Sequence, residues 1–366
     1  VKNLYSPERP FAGKRVLVTG HTGFKGSWLC EWLLALGAEV TGLALPPPTK
    51  PALFTLLGLA KRIQDRRGDI RDLSAVQAAV GAAQPDFVFH LAAQPLVRLS
   101  YAQPLETYAT NIMGTVNLLE AIRVAGVRCA VVVVTTDKCY ENTGRGHTFH
   151  EDEPMGGHDP YSSSKGATEI IVSAYRRSFF SAPDSPVRVA SARAGNVIGG
   201  GDWAVDRIMP DCIRSLQRGE AIPVRSRHAT RPWQHVLEPL GGYLCLAARL
   251  ADSTEYATAF NFGPTPEANR SVASLVKEVL KHWPGRWEDC ADPKAVHEAA
   301  LLNLSIEKAE RVLGWHPAWD FAAAVAHTVE WYHAVNRNAA AAAELTRQQI
   351  ATYEAAMQAL NPSWAR

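Results

Sequence analysis

Cysteine is scarce in this 366-residue chain, and where it occurs it is unpaired in sequence. The six residues, Cys30, Cys129, Cys139, Cys212, Cys245 and Cys290, lie scattered with no C-x-x-C pair. That argues against a disulfide framework and against a structural zinc site, and no metal is expected. Several sit inside apolar runs, where a free cysteine behaves as a small core residue. An excess of one charge is missing too: the formal net charge of +2 gives no electrostatic case for a nucleic-acid or membrane partner. No uninterrupted apolar run reaches the roughly 18 residues of a membrane span, and no charged-then-apolar leader opens the chain. A soluble protein of the reducing cytoplasm is the expectation. Hydrophobic residues make up 47% of the chain, enough for a sizeable core in one large or two modest domains.

The opening ten residues read as an arm. Arg15 to Thr19 is a short apolar strand that runs straight into Gly20-His21-Thr22-Gly23-Phe24-Lys25-Gly26. Phe24, Trp28, Leu29, Trp32, Leu33 and Leu36 then recur at helical spacing, and Gly37 ends that helix. Glu39 to Leu45 is a second strand, so the unit is βαβ with a right-handed crossover. A nucleotide pyrophosphate needs backbone N–H groups at a helix N-terminus and room for close approach. Gly20 permits the tight turn, Gly23 the approach, and Gly26 the packing of helix on strand, with Phe24 beside them. Such glycines also merely connect elements; the strand before and the helix after favour the functional reading.

Further along, Asp69 and Ile70 belong either to a polar loop at a strand end or to an adenine pocket, with the Asp69 carboxylate accepting from the amino group. The strand Asp86 to His90 runs into Leu91, Ala92, Ala93 and Gln94. Small residues at the carboxyl end of a strand let a cofactor approach the backbone, as open α/β sheets require; tight packing alone explains them equally well. Asn111 opens a helix running to about Val124, as a plain N-cap or as an active-site residue. Val131 to Val134 is the fifth strand and delivers Thr135-Thr136-Asp137-Lys138-Cys139-Tyr140.

Tyr161 and Lys165 are four residues apart and share a helix face. A free tyrosine, with a pKa of about 10, is a poor base at neutral pH. An ammonium group nearby favours the phenolate by up to ~4 kcal/mol at about 4 Å and a dielectric of about 20, or roughly three pKa units. Tyr161 could then take a proton from a sugar hydroxyl whose oxygen Thr136 hydrogen-bonds. A bare Y-x-x-x-K recurs by chance on surface helices; behind a glycine-rich βαβ unit and a T-T-D strand end it is specific.

With these stretches in place, the chain resembles the extended short-chain dehydrogenase/reductases, in particular the nucleotide-sugar 4,6-dehydratase group. The resemblance is carried by Thr19 to Gly26, His90 to Arg98, Thr135 to Tyr140, Tyr161 to Lys165, Arg193 to Trp203 and Arg231 to Val236, and covers about residues 10 to 335. It implies a doubly wound parallel Rossmann sheet over 11–192 with 233–265 returning to it. A smaller α/β substrate lobe would span 193–232 and 266–335, followed by a helix over 336–366. It also implies NAD; the residues alone do not, because the second strand ends in Leu43-Ala44-Leu45 without the carboxylate that would argue for it. Cofactor contacts fall on Gly20, Gly23, Phe24, Gly26, Asp69, Ile70, Leu91, Ala92, Ala93, Asn111, Tyr161 and Lys165. Substrate contacts fall on Gln94, Asn196, Arg231 and Glu298. A homodimer or tetramer is implied through the helices starting near Asn111 and Tyr161.

The implied chemistry has three parts: oxidation at C4 of the hexose by Tyr161 with Thr136 and Lys165, loss of water across C5–C6, and return of hydride to C6. Asp137 matches the acid position. Lys138 stands where most of the group carry glutamate as the C5 base, which is similar to the branch acting on CDP-glucose. A lysine base must be neutral, through burial or a cationic neighbour; a charged one would instead stabilise the enolate. A lysine on an exposed strand end is the bland alternative. Two other readings compete. An epimerase, or a dehydratase of a different nucleotide sugar, is the first, and Asp137-Lys138 speaks against an epimerase, which has no elimination to catalyse. A non-catalytic NAD or sugar-nucleotide sensor is the second, and the intact Tyr161–Lys165 pair speaks against it. Gly199-Gly200-Gly201 suits close backbone approach to the substrate, Gly144 to His158 reads as a solvated acidic loop, and the alanine-rich stretch Asn338 to Ala359 as a helix on a partner or on the domain.

Overall fold

The apolar runs become the strands of one parallel sheet because each carries two buried faces. We number them β1 (Arg15–Thr19), β2 (Glu39–Ala44), β3 (Gln64–Arg67), β4 (Phe87–His90), β5 (Cys129–Val134), β6 (Val187–Ala194) and β7 (Ala259–Phe262). The computed structural model describes residues 9–144, 146–290 and 302–360. The sheet order is β7-β6-β5-β4-β1-β2-β3, with every pairing parallel. Val16 and Val18 of β1 enter one core and Leu17 the other; Val132 and Val131 of β5 divide the same way. Alternate side chains buried on opposite faces are what a sheet covered by helices on both sides demands.

The strand order reverses at the crevice between β1 and β4, where open α/β sheets bind their ligands. The helix Phe24–Ala35 leaves β1 there, and positive φ at Gly37 ends it. On the opposite face lie Leu73–Ala83, Gly114–Ala125 and Pro160–Phe179. Helix Leu237–Asp252 returns to the sheet and leads to β7. The remaining segments make small paired strands, among them Val197–Ile198 with Gln234–His235 and Thr230–Pro232 with Asn269–Ser271. Helices Ile208–Arg218, Val272–His282 and Phe321–Arg337 pack around them.

The C-terminal helix Ala341–Leu360 packs on its own chain. Tyr353 donates to the buried Glu238 carboxylate at 2.7 Å, the Trp32 indole donates to Glu354 at 2.7 Å, and the Trp331 indole donates to Thr346 at 3.0 Å. Glu238 also accepts from the Trp319 amide at 2.7 Å. Burial pushes its carboxyl up to about 7.

Candidate active site

Backbone contacts explain the glycine turn. A Cβ on Gly20 would lie 2.7 Å from the Ala92 nitrogen, and one on Gly26 would lie 2.2 Å from the Gly20 carbonyl oxygen. The turn after β1 is thus pressed between the turn after β4 and its own helix. Gly23 is different: its Cβ position meets only the Gly20 carbonyl, at 3.4 Å. It opens the helix without a side-chain cap, which leaves the first-turn amides to a ligand. Leu91, Ala92 and Ala93 are half-buried on the floor beside it. This cradle fits a dinucleotide diphosphate. His21, which the motif's spacing says nothing about, is buried under the turn, with Nε2 2.8 Å from Asp65; Gly42 makes room for its ring.

The helix that carries Tyr161 is pinned at its start. Asp159 accepts from the Ser162 amide at 3.0 Å, Pro160 occupies the first turn, and the Tyr161 amide donates to Ser100 at 3.1 Å. Lys165 donates to the Val134 carbonyl at 3.1 Å, which ties this helix to the end of β5. The Thr136 hydroxyl donates to Asp137 Oδ1 at 3.0 Å and is close enough to the Tyr161 phenol to lower its proton affinity. That hydroxyl thus acts on both the phenol and the carboxyl. The other Asp137 oxygen, Oδ2, is buried with no hydrogen-bond partner within the protein.

The electrostatics correct one expectation. Burial outweighs neighbouring charge at Tyr161: its phenol is pushed up to about 12, with the Thr136 hydroxyl pulling the other way. Lys165 is drawn down to about 8, again by burial, with Glu169 opposing it. The protein alone thus does not make the phenol acidic. Burial also raises Asp137, against Lys138, Thr136, Arg231 and Lys25. Lys138 is half-buried on the short turn Asp137–Cys139 and is the cation acting most strongly on Asp137, which sets aside the exposed strand-end reading.

Beneath these groups runs a buried network that sequence reasoning missed. Glu169, one turn beyond Lys165, accepts from Thr135, from Ser191 at 2.7 Å and from Arg193 at 2.9 Å. Arg193 also donates to the Tyr140 hydroxyl at 2.7 Å and to the Glu151 carbonyl at 2.9 Å. The Tyr161 helix and the ends of β5 and β6 are thereby locked together. Glu151 accepts from the Asn261 amide at 2.9 Å, so the acidic loop is folded onto the sheet rather than simply solvated. A Y-x-x-x-K-x-x-x-E spacing was the available signal.

Asn111 is not an N-cap. It sits in a π-turn, Ala109–Met113, between two helical stretches, and is buried. It accepts from the Gln94 amide at 2.8 Å and donates to Ser164 at 2.8 Å, while its carbonyl accepts from Thr115 and Thr168. The slipped helical bonding frees that carbonyl. Gln94 is spent locally, donating to Thr107 at 2.9 Å and accepting from the Leu96 amide. Asp69 is clamped by Arg71, and Ile70 is buried where Gly114 leaves space. Arg231 is buried within electrostatic reach of Asp137, and Asn196 lies half-buried on the turn after β6. The Gly199-Gly200-Gly201 run serves packing: a Cβ on Gly200 would meet Trp331 at 2.1 Å and one on Gly201 would meet Leu53 at 2.7 Å. Glu298, with His297, lies outside the described residues.

Proteins of known activity share this chain's sequence and fold. The chain is 47% identical, over 88% of its length and 91% of the relative's, to a CDP-glucose 4,6-dehydratase of Salmonella typhimurium. Among solved structures it resembles a dTDP-glucose 4,6-dehydratase from Streptomyces venezuelae with NAD bound, at 26% identity and a TM-score of 0.73 over 87% of this chain and 97% of that one. It also resembles a UDP-glucose 4-epimerase of Thermus thermophilus in complex with NAD, at 27% identity and a TM-score of 0.75, covering 87% and 99% of the two chains. The family model for GDP-mannose 4,6 dehydratase matches residues 17–328. The chain therefore belongs to that family, within the extended short-chain dehydrogenase/reductases that its motifs resemble.

Proposed function

We propose that this protein is an NAD-dependent lyase that converts CDP-glucose to CDP-4-dehydro-6-deoxyglucose and water. The observation that carries this reading is the Tyr161–Thr136–Asp137 chain at the end of β5, beside the dinucleotide crevice. The 47% identity to a CDP-glucose 4,6-dehydratase and the lysine at 138 select the substrate.

NAD, when bound, accepts a hydride from the sugar and later returns it. Gly20, Gly23, Phe24 and Gly26 would hold its diphosphate, with Leu91, Ala92 and Ala93 along the crevice floor and Asp69 and Ile70 at the adenosine end. Tyr161 takes the proton of the C4 hydroxyl as that carbon becomes a ketone. Burial pushes its phenol up to about 12 in the protein alone; the positive charge of an oxidised nicotinamide would favour its ionisation. The ketone acidifies C5–H. Asp137, whose proton affinity burial raises, is assigned to protonate the departing C6 hydroxyl through the unpartnered Oδ2. Lys138 adjoins it as base or as electrostatic stabiliser of the enolate. An epimerase, which has no elimination to catalyse, has no use for an acid in this place.

Asn196 and Arg231 are assigned to the sugar diphosphate; Gln94, its side chain taken up by Thr107 and Leu96, is not assigned to the sugar. The dinucleotide is assigned to 11–192 with 233–265, the substrate to 193–232 and 266–335. We further assign a homodimer or a tetramer. Leu105, Met113, Val124, Ile170 and Phe179 are all exposed, on the helical stretch Pro104 to Ala125 and on the Tyr161 helix. A cytoplasmic location fits the six free thiols. Among the described residues no helix is long and apolar enough to cross a membrane.

The test is direct. Purified protein is incubated with CDP-glucose without added reductant, then treated with alkali and read for near-UV absorbance of a 4-keto-6-deoxy sugar. A signal with CDP-glucose and none with dTDP- or GDP-hexoses is expected. Turnover of another nucleotide sugar alone, or of none, overturns the assignment.

A further inference from the structure

The glycine turn and the end of β2 are tied together through one carbonyl. Thr22, inside the turn, donates to the Leu45 carbonyl at 3.0 Å. Arg67 Nη1 donates to the same oxygen at 3.1 Å. Arg67 is the last residue of β3 and pairs with Ala44, the last of β2. A guanidinium therefore stands beside the end of β2. In a doubly wound fold that prefers NAD, that place carries a carboxylate for the 2′-hydroxyl of the adenosine ribose. Here β2 ends in Leu43 and Ala44 and leads to the exposed Leu45.

The guanidinium is held in position by more than that carbonyl. Nη2 donates to Asp65 Oδ2 at 2.7 Å, and the guanidinium carbon lies 4.9 Å from the centroid of the buried Phe54 ring. Asp65 does not stand in for the missing carboxylate. Its side chain is only 15% exposed, and its two oxygens are spent on Arg67 and on the buried His21, the latter at 2.8 Å. The Arg67 side chain is 36% exposed. Of the five N–H groups that a guanidinium carries, the bonds to Leu45 and Asp65 use two.

A carboxylate at the end of β2 would select against a 2′-phosphate in two ways: it accepts from the free hydroxyl and it repels the phosphate. Neither acts here, and an arginine fork suits a phosphate. We propose that the adenosine end of the crevice takes a 2′-phosphate as well as a 2′-hydroxyl, with Arg67 as the specificity-determining residue, so that the protein binds NADP alongside NAD. This rests on the assignment of the crevice to a dinucleotide and is independent of the sugar chemistry.

The experiment is a competition for binding. Purified protein is equilibrated with labelled NAD by dialysis and challenged with unlabelled NAD or NADP. NADP should displace the label at a concentration within about tenfold of that needed for NAD, a difference of at most about 1.4 kcal/mol. Arg67→Gln should weaken NADP by about tenfold or more, the scale of a lost hydrogen bond to a charged group, and NAD by less. A purely structural role for Arg67 would weaken both alike. NADP falling outside the tenfold range, or a loss in Arg67→Gln no greater for NADP than for NAD, overturns the proposal. Should Arg67→Gln fail to fold by circular dichroism, the wild-type protein decides. Adenosine 2′,5′-bisphosphate should then displace NAD at least as readily as 5′-AMP, and weaker displacement refutes the 2′-phosphate site. If labelled NAD is not retained at all, the dinucleotide assignment falls and this proposal with it. If NAD is retained and NADP excluded, only this proposal falls.

Discussion

Glu169 Oε2 lies 2.9 Å from Arg193 Nη2, with both side chains almost wholly buried. The pair binds the Tyr161 helix to β6, and the Glu169 carboxylate reaches β5 through Thr135. A buried ion pair adds little by itself, but removing one partner strands the other without solvent. Glu169→Ala should cost about 3–5 kcal/mol of stability, read from the urea midpoint. A variant that unfolds at the wild-type midpoint would show the network to be dispensable.

Tyr161 and Lys138 should fail in different ways. Tyr161→Phe should lower turnover of CDP-glucose by at least about a hundredfold, the scale of a lost acid–base group. Lys138→Ala should leave deuterium wash-in at C5 poor or absent when the reaction runs in heavy water. Normal C5 exchange in that variant would remove Lys138 from the base role and leave it as a charge beside Asp137.

Glu238 supplies a pH dependence of known sign. Its folded carboxyl holds the proton up to about 7, against an ordinary value of 4.5. The folded state thus binds more protons than the unfolded chain across that window. The stabilisation is complete below the unfolded value and lost as pH rises to about 7. Melting temperature should fall over this range, and Glu238→Gln should flatten the fall by an amount on the order of 3 kcal/mol. A wild-type curve that rises through the window instead would show that Glu238 is charged in the fold.

Gly26→Ala tests the cradle. Its new methyl would lie 2.2 Å from a backbone carbonyl, which no rotamer change relieves. Overpacking of this kind costs about 1–3 kcal/mol, and the displaced helix start should weaken NAD binding, followed by equilibrium dialysis. Unchanged affinity would mean that the turn does not hold the dinucleotide.

What the chain's own spacing determined was local. Apolar runs of strand length, glycines at 20, 23 and 26, and a tyrosine four residues before a lysine are patterns within a few residues, and the parallel sheet and its crevice follow from them. Partners far apart in sequence were decided only by the tertiary structure. The Lys25 amine meets Tyr243 across 218 positions, and Glu169 meets Arg193 across 24. Asn111 is held in a π-turn by Gln94 and Ser164, and Gly200 lies against Trp331 rather than a ligand. Periodicity and turn chemistry act over one or two turns of chain. The state of a buried charge depends on which distant element is brought beside it, and no window of sequence contains both.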